Sequence, residues 1–266
     1  MRNLFNPTVA WITTRATLGR RRALLFAIPA VILIAVTLAL KLSRPPSRPW
    51  PSHVLGTFGF SVLLPLTALI IGSSVLGAEI DDGSIIHLLA TPVRRSSVII
   101  TKFLVATGLT IIFAAVPELI AALISGGGQS AAVVKVGPNG PVTITPGAVI
   151  NNTDFAVGLF VGALVCAVIY NAIFVMVSVA TTRAIAVGLL YVLIWEALLS
   201  NFVSGARLLS VSHYGLGIAN GFAHDPALGA GLTTGTSVVM GAIVTVVALV
   251  LAVKLLTSFT LEGDPA

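Results

Sequence analysis

Two carboxylates stand where carboxylates are rare. Glu118 and Glu196 fall inside long apolar stretches. An acid carried into a bilayer on a helix costs roughly 2.5–3.5 kcal/mol and usually has a task, in a pathway, a proton relay or a pair. Glu118 follows Pro117 and lies sixteen residues beyond Lys102, about 24 Å of helix. That spacing predicts a position near the outer interface, reaching headgroups or water at a proline kink. Glu196 is deeper, beside Trp195 and thirteen residues past Arg183, about 20 Å along its helix. It is expected to face a translocation pathway or to pair with Arg207 on the next segment, an ion pair that would shape an outer gate. Asn171, with Tyr170, Ser178 and Asn201, adds uncharged polar groups. Such groups either hydrogen-bond neighbouring helices, the commoner fate, or meet a substrate.

No other chemistry assembles. His53, His87, His213 and His224 are dispersed and make no metal site. His224-Asp225 before Pro226 reads as a turn, and no nucleophile–base pair is visible. Cys166 is the single cysteine, so no internal disulfide forms.

The elements that must position these groups follow from composition. Of 266 residues, 56% are hydrophobic and 9% charged, with a mean hydropathy of +1.04. A soluble domain carries about 25% charged residues, so soluble, collagenous and disordered classes are excluded. The formal net charge of +6 fits a membrane protein with its excess Lys/Arg on inner loops. Six stretches are long enough to span: Ala23–Lys41, Val54–Ala78, Val98–Ser125, Phe155–Thr181, Ala184–Val203 and Thr234–Leu256. Each approaches or exceeds the ~20 residues a bilayer core requires. They are apolar on all faces, unlike the alternating strands of a membrane barrel. The first run is too long for a signal peptide and no clear cleavage site follows it. The expected fold is therefore an all-α membrane protein with six transmembrane helices.

Orientation follows from the cations. With a cytoplasmic N-terminus, ten Lys/Arg lie inside and five outside, as the positive-inside rule prefers. The C-terminus then also returns to the cytoplasm. The expected division is 1–22 as an amphipathic cytoplasmic helix, 23–258 as the six-span domain with a cytoplasmic loop at 79–97, and 259–266 as a tail. Phe5, Val9, Ile12 and Ala16 recur at helical spacing, with Trp11 beside them and Arg15 and Arg20–Arg22 following. That pattern predicts an amphipathic helix on the inner leaflet. Gly126–Asp154 reads as an external loop with a small hairpin around Pro138-Asn139-Gly140. Ser204–Thr233 is apolar but broken by Gly215, Gly217, Gly221 and Pro226; it reads as short interfacial or re-entrant helices, which membrane depth tolerates only against protein or a wet cavity. Gly158 and Gly162 form a small-xxx-small pair that favours close helix contact.

The most specific segment joins the second and third spans, Gly77 to Lys102: GAEIDDGSIIHLLATPVRRSSVIITK. Asp81 and Asp82 suit the N-terminus of a short helix beginning near Gly83. Ile85, Ile86, Leu88 and Leu89 supply its apolar surface, and Pro92 stops it. A short apolar-faced helix ending in proline and two arginines is shaped to dock.

At Glu79, Gly83, Leu88, Leu89, Thr91, Pro92, Arg94 and Lys102 this segment resembles the cytoplasmic loop of ABC-2 type permeases, membrane subunits of ATP-binding-cassette transporters. YVLIWEALL, Tyr191–Leu199, is a fainter echo. The resemblance implies a coupling helix near Gly83–Thr91 that enters a groove of a separate ATPase subunit, and an N-terminal connecting helix. It also implies two permease copies, identical or related, two ATPase subunits that bind ATP and Mg, and a bacterial inner-membrane location with both termini cytoplasmic. Export of a hydrophobic or amphipathic compound, a drug, lipid or antibiotic, is the expected activity. The chain itself is expected to be no enzyme and to bind no cofactor and no nucleic acid. Ser125-Gly126-Gly127-Gly128-Gln129 looks like an ATPase signature loop, but it carries an extra glycine, falls on the external side, and no phosphate-cradling G-x-x-x-x-G-K-[ST] accompanies it. In a bacterial chain the glycosylation pattern Asn151-Asn152-Thr153 is a chance match. The competing reading is an ion-coupled secondary carrier with Glu196 and Glu118 as proton sites, although no inverted repeat supports it; an intramembrane enzyme ranks third.

Overall fold

The structure, a computed structural model, describes residues 6–43, 50–81, 95–127, 133–135, 143–145, 151–200 and 204–258. Among them the chain is almost entirely helical. α1 spans Pro7–Thr17 and α2 Arg20–Ser43; α3, Trp50–His53, continues through a π-helical stretch at Val54–Leu63 into α4, Leu64–Asp81. α5, Arg95–Thr110, passes through a π turn at Ile111–Ala115 into α6, Val116–Ser125. α7 is Asn152–Ala180; α8, Ala184–Leu190, runs on as a π-helix at Tyr191–Leu199. A 3₁₀ turn, Ser204–Leu209, leads into α9, Val211–Ala223, and α10 closes the described chain at Thr234–Ser258. The one departure from an all-α fold among the described residues is a pair of short strands, Val133–Lys135 antiparallel to Thr143–Thr145, flanking the expected hairpin turn.

Among the described residues five helices are long and apolar enough to cross a bilayer: Ala23–Ser43, Trp50–Gly77, Arg95–Ser125, Asn152–Ala180 and Thr234–Thr257. They agree with five of the six expected spans. The fifth expected span is present as the shorter apolar helix Ala184–Leu199, less than the ~20 residues a bilayer core requires. Residues 201–203, which would lengthen it, lie outside the described residues.

The core gathers around α7, which packs against α4, α6, α9 and α10. Its buried face carries Phe155, Leu159, Cys166, Tyr170 and Phe174, with the Tyr170 and Phe174 rings stacked at 5.9 Å. α2 and α10 are peripheral: only 17% of the most apolar stretch of each is buried. Their remaining surface, Leu25, Val31, Val239, Val246 and others, is apolar and exposed, as lipid-facing helices require.

α1 is set by its cap. Asn6 accepts from the amides of Thr8 and Val9, Pro7 occupies the first turn, and the Asn6 amide donates to Thr101 Oγ1 at 3.1 Å, tying α1 to α5. The stripe that α1 turns to the protein is Val9, Thr13 and Thr17. Trp11 and Ile12 face outward at 68% and 57% exposure, with Arg15 also exposed. A helix four residues per ridge from its neighbour buries i, i+4, i+8, which leaves the bulky apolar side chains for lipid. Phe5 lies outside the described residues.

Candidate functional site

Glu196 is wholly buried, and its surroundings are polar. Oε1 accepts from the Val211 amide at 2.8 Å and from the Tyr191 hydroxyl at 3.0 Å. Oε2 accepts from Ser210 Oγ at 2.6 Å, Ser212 Oγ at 2.7 Å and the Ser212 amide at 3.3 Å. Two features of local structure make this possible. In an α-helix, residues five apart stand well round the axis from one another; the wider π turn of Tyr191–Leu199 brings Tyr191 and Glu196 to one side. Ser210 is the N-cap of α9 and its own side chain makes no capping bond, so the free amides at the start of α9 are met by a carboxylate from another helix. Negative charge there also meets the positive end of the helix dipole.

The ion pair with Arg207 expected from sequence is therefore not what holds Glu196. Among the described residues no ion pair joins the two, and Arg207 Nε is buried without a hydrogen-bond partner. The guanidinium lies instead near Gly231 and His213.

α9 is seated deep in the bundle. A Cβ placed on Gly158 would lie 2.5 Å from the Ala219 carbonyl oxygen, and one placed on Gly162 would lie 2.5 Å from that of Gly215. The two glycines of α7 thus admit the α9 backbone directly. Cys166, one turn further, donates to the Val211 carbonyl at 3.3 Å. His213 Nδ1 lies 3.1 Å from Ser210 Oγ. Since the Ser210 proton goes to Glu196, the imidazole is the donor in that bond. Burial pushes the His213 imidazole below its ordinary value; the Glu196 carboxylate opposes that shift and Arg207 adds to it.

Glu118 is the second buried acid, 1% exposed. It does not reach headgroups or water as expected; the carboxyl is buried within the bundle. It lies over Gly59, where a Cβ would come within 2.6 Å of Oε2. Its Oε1 has no hydrogen-bond partner. The carboxyl lines a small cavity between α2, α4 and α6, walled by Pro29, Leu33, Thr67, Phe113 and Pro117.

Asn171 bridges helices: Nδ2 donates to Thr110 Oγ1 at 2.9 Å and to the Ala167 carbonyl at 2.7 Å, with Gly72 against its Oδ1. It is fully buried and joins α7 to α5. Sequence reasoning passed over Lys102 as a span opener. It is fully buried, and its ammonium donates to the Val75 carbonyl at 2.8 Å. The signal was its place seven residues inside a helix that already begins with Arg95. Also missed was Ser52, which donates to the buried Asp225 carboxylate, while Asp225 caps the Pro226–Leu228 turn.

Of the expected docking residues, Glu79 belongs to the last turn of α4. Gly83, Ile85, Leu88, Leu89, Thr91, Pro92 and Arg94 lie outside the described residues. What the structure does give is the frame around them: α4 leads into the segment and α5 leads out, beginning at Arg95, whose guanidinium donates to the Leu256 and Thr257 carbonyls at 2.9 Å. That closes the C-terminus of α10, where a cation is favoured.

Comparison with known proteins gives one family. A family model described as ABC-2 family transporter protein matches residues 18–195. No curated protein matches the chain.

Proposed function

The chain belongs to the ABC-2 family of transporter proteins, and on that premise we propose that it is the permease subunit of an exporter driven by separate ATPase subunits. The observation that carries the reading is the family match, which runs from the first span through Trp195 and takes in the segment between α4 and α5. The multi-pass helical bundle agrees with it.

In the proposed assembly two permease copies pair and two ATPase subunits bind ATP and Mg, so the chain contributes no hydrolytic chemistry of its own. The segment 79–97 docks on the ATPase through Leu88 and Leu89, and closure of the ATPase pair tilts α4 and α5. The apolar helix that begins at Ala184 serves as the sixth span. Both termini then face the cytoplasm of a bacterial cell, with α1 on the inner leaflet through Trp11 and Ile12, and α9 dipping into the outer half as a re-entrant helix. The cargo is a hydrophobic or amphipathic compound. An ion-coupled carrier is the weaker reading, since Glu196, one of its two proton sites, is occupied with capping α9.

Co-purification tests the reading. The chain, extracted in mild detergent, is expected to carry an ATPase subunit and, reconstituted with it, to move an amphipathic compound only when ATP is hydrolysed. A chain that purifies alone and transports on a proton gradient without ATP would overturn it.

A further inference from the structure

The Glu118 cavity has a definite chemical preference. Among the described residues its polar lining side chains are Glu118 and Thr67; the rest are Pro, Ala, Leu and Phe. The Thr67 proton goes to the Leu63 carbonyl at 2.8 Å, so Thr67 turns only lone pairs to the space. Glu118 Oε1 is buried and without a donor. With Glu118 ionised, the cavity therefore offers acceptors and no donor, in apolar walls. Carboxylates buried in this way gain most from a cationic partner that can also donate hydrogen bonds.

Its other properties narrow the occupant. The volume is about 10 Å³, room for one water-sized group and so for an ammonium head, while a bulky ring is excluded. The cavity is only partly enclosed, and one wall is α2, the peripheral span. An alkyl chain attached to the head group can leave between α2 and its neighbours toward lipid. The surrounding backbone departs from regular α-helix: Pro29, which donates no backbone hydrogen bond, lies within α2, the π stretch Val54–Leu63 carries Gly59 beneath the carboxyl, and a second π turn, Ile111–Ala115, ends just before Pro117. Such insertions concentrate at functional sites.

Glu196 provides the contrast. It is as deeply buried, but the start of α9 supplies its donors. Asp225 is likewise engaged, by Ser52 and the Ala227 amide.

The geometry points to Glu118 as a recognition residue for the protonated amine of an amphiphile that enters beside α2. The inference names the substrate class for the permease proposed above and rests on that reading for its transport role, while the binding itself needs no ATPase. Its test uses the full chain alone in phosphatidylcholine nanodiscs, so that its failure and the failure of the permease reading are separable. Dicyclohexylcarbodiimide, an apolar reagent for protonated carboxyls, is added and the Glu118 and Glu196 peptides are followed by mass spectrometry. Glu118 is expected to be labelled and Glu196 spared. At about ten times its dissociation constant, dodecylammonium should slow Glu118 modification about tenfold, with the amide that a primary amine forms with an activated carboxyl, releasing the urea, counted together with the carbodiimide adduct; dodecanol or sodium chloride should not. Thermal shift adds a second readout: dodecylammonium stabilises the wild-type chain, and Glu118→Gln loses that shift. An unlabelled Glu118, equal protection by dodecanol, or equal protection by sodium would each overturn the inference, the last two marking a merely apolar gap or a simple cation site. An undiminished shift in Glu118→Gln would overturn it as well.

Discussion

The Glu196 carboxylate accepts the Val211 amide at 2.8 Å, so α9 is capped by a residue that belongs to the helix before it. A side-chain cap ordinarily comes from the residue next to the helix. Here it comes from fifteen residues upstream, and it fixes how two helices stand relative to one another.

Replacing Glu196 should release α9. Glu196→Gln keeps the shape but loses the charge and presents amide hydrogens to Ser210, Ser212 and Val211, costing about 2–3 kcal/mol. Cys166, the single cysteine, is buried against Val211 and reports the event. Its maleimide labelling should speed up in the variant, with membrane insertion and expression retained. Unchanged labelling would show that the cap does not hold the helix.

Gly162→Ala should act at the same joint from the other side. The new methyl meets the Gly215 carbonyl, which is backbone and cannot swing away. About 1–3 kcal/mol of overpacking is expected, seen as a lower melting temperature and again as faster Cys166 labelling. Gly108→Ala is the control, because nothing lies within 4 Å of the added carbon. That change should be neutral or stabilising by up to about 1 kcal/mol.

Acid should loosen α9 through His213. Its imidazole is held below the ordinary histidine value, so on acidification the unfolded or undocked state binds a proton first. Stability is thus complete above the ordinary value, about 6.5, and falls as the pH drops below it. Melting curves between about pH 7.5 and 5.5, which bracket that value, should show the decline. His213→Asn retains a donor near Ser210 and does not titrate, so its melting temperature should fall less over that range; an identical slope would assign the effect to other groups.

Leu88→Asp or Leu89→Asp is predicted to weaken ATPase association without altering insertion. Pull-down of the partner subunit measures it, and full association with full ATP-driven transport would count against docking at these positions.

What could be read beforehand follows the physics of the solvent. A bilayer imposes length and uniform apolarity on each span, and both are properties of contiguous sequence; five spans were therefore legible with nearly correct ends. The amphipathic N-terminal helix was legible as a helix, while the face it turns to the protein, Val9, Thr13 and Thr17, was not, because small hydroxyl residues pack helices closely while hydropathy scores them as polar. Glu118 and Glu196 stood out by type. Their partners did not: a π turn shifts the phase of every later residue, and a backbone amide carries no letter in the sequence. Gly158 and Gly162 announced a close contact without saying that α9 would fill it.

The peripheral place of α2 also has a meaning in time. Chains emerge at roughly 5–20 residues per second, and α2 leans on α6, which is made roughly seventy residues later. The first span therefore waits several seconds for that partner, holding meanwhile only its smaller contacts with α4 and the π stretch before it. Its nearly uniform apolar surface suits it to waiting, whereas α7, with its glycines and Asn171, takes its final place only after α9 has been made. Assembly of this bundle thus begins at its rim and is completed from its centre.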